Sequence, residues 1–320
     1  MVIHPQASPL QASLQMGLET ELETGLGSEV GSGLGSGAVV LAAMPDLTLM
    51  AFLASLVFLL WHLRSFREFV DDAGAHVMLL AGVLARLHHL PRRRRWFMEQ
   101  LFAAGIKNLH VVLLVGLFIG MILGLQMGIE LSRFGQQDSI GAIVAASMAR
   151  EMGPFVTAII MAATVGSRLA AELGTMSVSD ELSALKVLSV DRLSFLVLPR
   201  VVALAIICPM LTVVCDAVGI LGGGFIANSQ LHVGWSLYMD SAFETLQDLG
   251  AVVPVPMDVY SGLLKAVFFG VIVAVISCTS GFQAHGGALG VGRATSRAVR
   301  DSIIAVIVAN YFLTWILYQG

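Results

Sequence analysis

Long apolar runs recur along the last two thirds of the chain, and polar residues gather between them. The five longest runs cover approximately residues 109–129, 139–167, 197–225, 260–283 and 301–319. A helix of about 20 residues crosses the roughly 30 Å of hydrocarbon in a bilayer. The pattern therefore predicts an all-α, polytopic membrane protein with five core transmembrane helices.

The first part of the chain follows a different pattern. Residues 1–37 contain Gly-Ser repeats and cannot bury enough apolar surface to fold alone, which predicts a disordered segment. Within residues 38–64, the shorter apolar run from Leu47 to Leu63 predicts a possible extra N-terminal transmembrane helix. This run lies too far from the N-terminus, and lacks the basic stretch, to be an ordinary cleaved signal peptide.

Residues 65–95 join that part to the predicted membrane domain, residues 96–320. The stretch from Phe66 to Leu90 mixes apolar residues with acids, histidines and arginines, which is typical of an amphipathic helix in the membrane interface. The arginine run Arg92–Arg95 follows it. Binding to anionic lipid headgroups and an ordinary basic flank on the cytoplasmic side explain these arginines equally well.

Basic residues also predict the orientation, because cytoplasmic loops collect lysine and arginine. The segment before residue 109 is rich in arginine, whereas residues 226–259 contain no basic residue. We therefore expect cytoplasmic segments before residue 109, at 168–200 and near 283–300. The last two hold Arg168, Lys186, Arg192, Arg200, Arg293, Arg297 and Arg300.

Composition agrees with a bilayer environment. Hydrophobic residues make up 57% of the chain and charged residues 12%, and the mean hydropathy is +0.84. Soluble domains contain about a quarter charged residues, so the chain is not an ordinary soluble domain. The cysteines lie in apolar runs without metal-ligand spacing, and we interpret them as small buried apolar residues: Cys208, Cys215 and Cys278.

Small residues recur every four positions on two of the predicted spans. One stripe contains Gly116, Gly120, Gly124 and Gly128, and the other contains Ala162, Gly166, Ala170 and Gly174. Small residues at this spacing flatten one helix face and let two backbones approach closely in a membrane. Both stripes are predicted to be helix-packing seams.

Two adjacent charges lie deep in the second apolar run. Arg150 and Glu151 stand about eleven residues after Ser139, which places them ~16 Å into the bilayer at 1.5 Å per residue. Lys265 lies deep in a later span. Ionisable groups at such depth are functional candidates by default. They either form the floor of a water-accessible cavity or pair with one another to brace the helices, and Gly153-Pro154 predicts a helix break beside them.

The cytoplasmic stretch at 168–200 predicts a short amphipathic helix from Ser177 to Leu188. Ser177 and Asp180 have the spacing of a capping box, and Asp180 and Glu181 suit a helix N-terminus. An apolar stripe of Leu182, Leu185 and Leu188 must be covered by something. The helix is either a solvated connector or the seat of a peripheral partner subunit.

Several of these stretches closely resemble the MlaE permease family. The matching runs are Arg150–Pro154, Val165–Arg168, Ala171–Met176, Asp180–Leu185, Val190–Asp191, Pro199–Arg200 and Gly286–Val299. The resemblance covers about residues 66–320, so residues 96–320 are expected to form a MlaE-type permease domain.

The resemblance implies the permease of an ABC transporter that moves phospholipids between the inner and outer membranes of a bacterium. In that family two permease chains form a homodimer around a lipid cavity, ATPase subunits dock on the cytoplasmic side, and MCE-domain lipid-binding proteins sit on the periplasmic side. The chain is then a multi-pass protein of the bacterial inner membrane and not itself an enzyme. It needs no cofactor of its own, because ATP and Mg²⁺ bind the partner ATPase.

The resemblance also assigns residues to roles. The implied lipid cavity contains Leu123, Leu131, Phe134, Arg150, Glu151, Lys265 and Asn310, and the implied coupling helix contains Ser177, Asp180, Glu181, Leu182, Leu185 and Leu188. Some relatives carry an acid where this chain has Asn310, so an amide would stand opposite Lys265.

Two other classes of protein compete with this interpretation. A secondary transporter or channel would also need buried charges, but it usually shows more spans and internal repeats. An intramembrane enzyme would need a nucleophile with its base, or paired acids, inside the spans. Residues 287–296 resemble a phosphate-binding loop but lack its Gly-Lys-Ser/Thr ending, so ATP hydrolysis is expected from another chain.

Overall fold

The computed structural model describes residues 73–88, 94–247 and 257–319. The predicted disordered segment 1–37, the predicted helix Leu47–Leu63 and the run Arg92–Arg93 lie outside the described residues. Every regular element within the described ranges is helical. The predicted all-α fold class is confirmed.

Eleven α-helices follow one another in these ranges. They are α1 Ala73–Ala85, α2 Arg94–Gly105, α3 Leu109–Phe134, α4 Ile140–Ser147, α5 Gly153–Met161, α6 Ser167–Val178, α7 Glu181–Val187, α8 Leu198–Gln230, α9 Trp235–Gln247, α10 Met257–Phe282 and α11 Gly287–Gln319. Two π-helical segments, Met148–Met152 and Ala162–Gly166, join α4, α5 and α6 into one long helix.

Within the described residues, five continuous helices are long and apolar enough to cross a membrane, as the sequence predicts. They are Arg95–Phe134, Gln137–Val178, Leu193–Gln230, Met257–Phe282 and Gly287–Leu317. Four of the five extend well beyond the predicted runs, because polar residues beside each run continue the same helix. Short α7 lies between the second and third spans, and α9 lies between the third and fourth.

The glycine stripe of α3 is a packing seam, as predicted. Gly116, Gly120, Gly124 and Gly128 are all buried. A Cβ atom on Gly120 would lie 1.8 Å from the carbonyl oxygen of Gly219, and one on Gly124 would lie 2.9 Å from Cα of Gly223 in α8. The backbones of α3 and α8 therefore meet along a line that no larger residue could occupy.

The second small-residue stripe packs against the last two spans. Ala162, Gly166, Ala170 and Gly174 are buried. A Cβ atom on Gly166 would lie 2.8 Å from the Ser277 hydroxyl of α10, and one on Gly174 would lie 3.2 Å from Cβ of Ala284. Helix α10 is thereby enclosed by α6, α8 and α11. Gly286 and Gly287 adopt φ of 85° and 73° in the turn before α11, a left-handed conformation that suits glycine.

The described part of the predicted interfacial helix is α1. Leu79 and Val83 are buried on one face, whereas Val77 and Leu84 are exposed on the other. In a membrane protein such an exposed apolar face suits the interface rather than water.

Candidate functional site

The helix break that Gly153-Pro154 predicts does not occur: the second span is one continuous helix, and the π-helical segment Met148–Met152 lies directly before Gly153 and Pro154. Pro154 has no N–H group, so the carbonyl of Arg150, four residues earlier, loses its regular helical donor. The ammonium of Lys265 on α10 donates to the Arg150 carbonyl at 3.1 Å. A lysine from a neighbouring helix thus replaces the donor that proline removes.

Lys265 is fully buried and is held by three acceptors. Besides the Arg150 carbonyl, it donates to Oε1 of Glu151 at 2.5 Å and to the Thr314 hydroxyl oxygen at 2.8 Å. Its side chain has 0% exposure, whereas that of Glu151 keeps 30%. A buried charge is tolerated when it is paired and its remaining protons are hydrogen-bonded, and both conditions hold for this ammonium.

Glu151 is also held by α11. Nδ2 of Asn310 donates to Oε2 of Glu151 at 3.1 Å, and the Thr314 hydroxyl lies 3.0 Å from Oε1. Asn310 and Thr314 are four residues apart and share one face of α11. We name the group formed by Glu151, Lys265, Asn310 and Thr314 the polar cluster. It joins three spans.

Arg150 points away from the polar cluster. Its Nε lies 2.5 Å from Oδ1 of Asp258, at the start of α10, and its side chain is 45% exposed. The structure thus pairs Glu151 with Lys265, as the bracing interpretation of these deep charges predicts, and Asn310 donates to the same carboxylate. It directs the neighbouring guanidinium to Asp258 instead. Sequence reasoning missed Asp258 and Thr314, although Thr314 stands one turn from Asn310.

A further acid inside the spans, Asp216, was also missed. It lies in α8, is partly buried, and faces Gly153, where a Cβ atom on Gly153 would lie 1.6 Å from its Oδ1. Glycine at 153 therefore makes room for the carboxyl group. Oδ1 of Asp216 has no hydrogen-bond partner among the described residues. The sequence does contain a signal for this residue, because Asp216 is the single acid within the apolar run 197–225.

Asp216 borders an apolar cavity of about 310 Å³ between α8, α9 and the start of α10. The cavity is otherwise lined by apolar side chains from these helices and by Ala149. Tyr238 fixes α9 to α8, because its hydroxyl donates to the Ile220 carbonyl at 2.9 Å.

The three predicted cavity residues of α3 fall in two environments. Leu123 and Leu131 lie beside the glycine seam and are partly covered by the apolar core. Phe134, the last residue of α3, is 76% exposed. Exposed apolar residues continue along the free face of α3: Leu114, Leu117, Phe118, Ile122, Leu125 and Ile129.

The predicted short cytoplasmic helix is present but differs in its start and its covered face. Helix α7 begins at Glu181 rather than at Ser177, and it has no side-chain cap; its N-cap residue Asp180 has φ of 59°. The Ser177 hydroxyl instead contacts the carbonyl oxygens of Phe282 and Ala284 at 3.2 and 3.1 Å. The predicted capping box is therefore wrong, because acceptors at the end of α10 hold this hydroxyl.

The predicted apolar stripe of α7 is only partly available to a partner, because two of its three leucines pack against this chain. Leu182 is buried in this chain and Leu185 packs partly against the same core. Val187 and Leu188 are 85% and 70% exposed. Two leucines of the predicted stripe thus anchor α7 to its own chain, and the exposed apolar surface is at the C-terminal end of the helix.

Asp191 fastens the segment after α7 to α1. Its carboxylate forms an ion pair with Arg86 and accepts a hydrogen bond from the Ser194 hydroxyl at 2.8 Å. Partial burial opposes ionisation of Asp191, but the hydrogen bonds from Ser194 and Arg86 and the charge of Arg86 outweigh it. They hold the pKa of this carboxyl below its ordinary value.

Three charged residues from the resembling motifs meet between α6 and α8. Nη2 of Arg200, whose side chain is 7% exposed, lies 3.0 Å from Oε2 of Glu172, and Nε of Arg168 lies 3.5 Å from Oε1 of Glu172. Arg168 also donates to the Ala103 carbonyl of α2 at 3.1 Å. The motif residues therefore connect α2, α6 and α8.

Comparison with known proteins decides the family. Residues 97–316 match the family model described as permease MlaE, which is more than half of the chain. The chain belongs to the MlaE permease family. The resemblance seen in the sequence motifs is confirmed.

Individual members of the family are similar to this chain over most of its length. A probable ABC transporter permease protein of Rickettsia typhi is 39% identical over 252 residues, covering 79% of this chain and 94% of the relative. The intermembrane phospholipid transport system permease protein MlaE of Haemophilus influenzae is 33% identical over 251 residues, covering 78% and 94%. The chloroplastic protein TRIGALACTOSYLDIACYLGLYCEROL 1 of Arabidopsis thaliana is 36% identical over 249 residues, covering 77% and 69%.

Membership of the MlaE permease family and five apolar helices together indicate a multi-pass membrane protein of the ABC permease class. The polar cluster, Pro154 and helix α7 all lie inside the matched region.

Proposed function

We propose that this chain is the permease subunit of an ABC transporter that moves phospholipids between the inner and outer membranes. The match of residues 97–316 to the MlaE permease carries this proposal. The name of the Haemophilus influenzae relative, an intermembrane phospholipid transport permease, gives it the substrate class. The chain lies in the bacterial inner membrane, pairs with a second copy and works with an ATPase and an MCE-domain protein.

The lipid cavity lies between the two copies, against the outer part of α3. The exposure of Phe134 and of the neighbouring apolar face of α3 supports this placement, because a lone chain leaves this surface uncovered. Arg150 and Glu151 keep exposed surface within the π-helical segment Met148–Met152 and present charge toward such a cavity. Lys265 acts behind them, as the buried counterion that orients Glu151.

The ATPase docks on α7. The exposed side chains of Val187 and Leu188 support this, because an apolar surface on the cytoplasmic side needs a partner to cover it. Leu182 holds α7 to the chain body, and Ser177, near the end of the preceding helix α6, contacts the end of α10. A displacement of α7 would thus reach the ends of α6 and α10.

Photo-crosslinking in cells tests the cavity. A photoreactive phenylalanine replaces Phe134, and the matched control replaces Phe312, which is 54% exposed on α11. The crosslinked phospholipid is measured by mass spectrometry with active or hydrolysis-deficient ATPase. We expect capture at position 134 to change with ATPase activity and capture at position 312 to stay constant. The same response at both positions would exclude a cavity at Phe134.

Co-purification tests the docking surface. Leu188→Asp should release the ATPase, because it places a charge in an apolar contact, while the permease still inserts and forms its dimer. Ser183→Asp is the control, since Ser183 is exposed on the same helix. Retention of the ATPase by Leu188→Asp together with Val187→Asp would contradict docking on α7.

A further inference from the structure

A basic groove runs along the cytoplasmic end of α11. It has a volume of about 760 Å³ and is lined by Ala288, Leu289, Gly292, Arg293, Ser296, Arg297 and Arg300. The arginines are spaced by four and three residues, so they share one helix face. Arg293 and Arg297 belong to the last matching run, Gly286–Val299, and Arg300 follows it directly. Neither the proposed cavity nor the docking helix gives this run a role.

The length of α11 places this groove at the inner membrane boundary. The helix has 33 residues, or about 50 Å at 1.5 Å per residue, against roughly 30 Å of hydrocarbon. Counting about 20 residues back from its outer end, the hydrocarbon begins near Arg300. Arg297 and Arg293 then lie about 5 and 10 Å further out, at the level of the lipid headgroups.

The face that carries the arginines continues as an apolar face within the membrane. Residues at the same helical spacing are exposed beyond Arg300: Ile304, Ile307, Val308, Tyr311, Phe312 and Trp315. A molecule covering this whole face must be apolar along the spans and anionic at its cytoplasmic end. A glycerophospholipid with a net negative headgroup has this form.

Charges near the groove leave its basic character in place. Nε of Arg300 lies 2.9 Å from Oδ1 of Asp301, and Nη1 of Arg297 lies 3.5 Å from Oε1 of Gln283, a neutral group. Arg293 is exposed and forms no hydrogen bond or ion pair within the described residues. Three arginines and one aspartate therefore leave an excess of positive charge on this face.

Protein partners fit the face less well. A peripheral ATPase cannot reach the membrane-embedded residues above Arg300. A second copy meeting this face about a twofold axis would place arginines opposite arginines, and like charges at an interface are unfavourable.

We propose that the groove of Arg293, Arg297 and Arg300 binds the phosphate headgroup of an anionic phospholipid in the cytoplasmic leaflet, with its acyl chains along the exposed face of α11. The site is separate from the transport cavity on α3, and its occupant remains bound rather than transported. It anchors the cytoplasmic end of α11 to the membrane, next to the turn that receives the Ser177 hydroxyl.

Native mass spectrometry of the purified complex, reconstituted in phosphatidylcholine nanodiscs with a minor fraction of phosphatidylglycerol, tests this site. The test variant carries Arg293→Gln, Arg297→Gln and Arg300→Gln. The control carries Lys107→Gln, Arg133→Gln and Arg192→Gln, which removes the same charge from exposed positions off α11. Each basic residue near an anionic surface contributes about fivefold in affinity. We therefore expect the test variant to bind phosphatidylglycerol more weakly by on the order of a hundredfold, with the control unchanged.

A variant with lysine at all three positions should recover most of the binding, which separates a loss of charge from misfolding. Unchanged phosphatidylglycerol binding by the glutamine variant would overturn the proposal, and so would an equal loss in the control. Loss of the ATPase or of the second copy, with phosphatidylglycerol still retained, would assign the arginines to a protein interface instead. Displacement of the lipid by an equal concentration of inorganic phosphate would show that the acyl chains contribute nothing.

Discussion

Replacing Lys265 with methionine should destabilise the folded chain by removing the counterion of Glu151. Methionine retains the length of the side chain but not its charge. The Arg150 carbonyl then loses its donor at 3.1 Å, and Oε1 of Glu151 loses its donor at 2.5 Å. The hydrogen bonds from Asn310 and Thr314 to the carboxylate remain.

The expected cost follows from burial. Breaking a buried ion pair costs about 3–5 kcal/mol. The lower end applies here, because the Glu151 side chain is 30% exposed and keeps two neutral donors. A loss of about 3 kcal/mol corresponds to a fall of about 6–12 °C in the thermal midpoint of a domain of this size. The double variant Glu151→Gln, Lys265→Met should recover much of this loss, because no uncompensated charge remains.

Thermal unfolding in detergent, followed by the near-ultraviolet signal, measures the midpoint of each variant. Breaking the exposed pair of Glu130 and Arg133 by Arg133→Gln is the control, with an expected cost below about 1 kcal/mol. The reasoning is refuted if Lys265→Met unfolds at the wild-type temperature. It is also refuted if the double variant is less stable than both single variants.

Two further predictions concern the packing seam and the cytoplasmic ion pair. Gly120→Ala should prevent close packing of α3 and α8, because its Cβ atom would lie 1.8 Å from the Gly219 carbonyl oxygen. Gel filtration should then show a loss of assembled protein. The control Gly292→Ala, which has open space around it, should behave as wild type. Asp191→Asn should lower the thermal midpoint at neutral pH by the equivalent of about 1 kcal/mol or less, since its pair with Arg86 is partly exposed. Folding lowers the pKa of Asp191, so its contribution to stability is present above the unfolded pKa of 3.8 and is lost as the pH falls through the folded pKa. The thermal midpoints of wild type and variant should therefore converge in that acid range.

Local patterns in the sequence predict the spans and the seams, because periodicity within one helix determines them. The spacing of Gly116, Gly120, Gly124 and Gly128 predicts close packing, although it does not identify α8 as the partner. The deep positions of Glu151 and Lys265 make both polar candidates, but their pairing joins residues 114 positions apart.

Other features depend on tertiary contacts that no local pattern contains. Ser177 has the spacing of a capping residue, yet its hydroxyl contacts Phe282 and Ala284, more than 100 positions away. Arg150 and Glu151 are neighbours in sequence but point to different partners, because successive residues on a helix face different directions. The spacing of Leu182 predicts an apolar stripe that a partner covers, but the chain's own core covers this residue.

Phospholipid transfer by the reconstituted assembly tests the central claim most directly. The permease, its ATPase and the MCE-domain protein are placed in liposomes with fluorescent phospholipid, and transfer to or from acceptor vesicles is measured with and without ATP. The account predicts ATP-dependent transfer that disappears when this chain is omitted and falls when Glu151 is replaced by glutamine in a complex that still assembles. Transfer at the same rate without ATP or without this chain would contradict it.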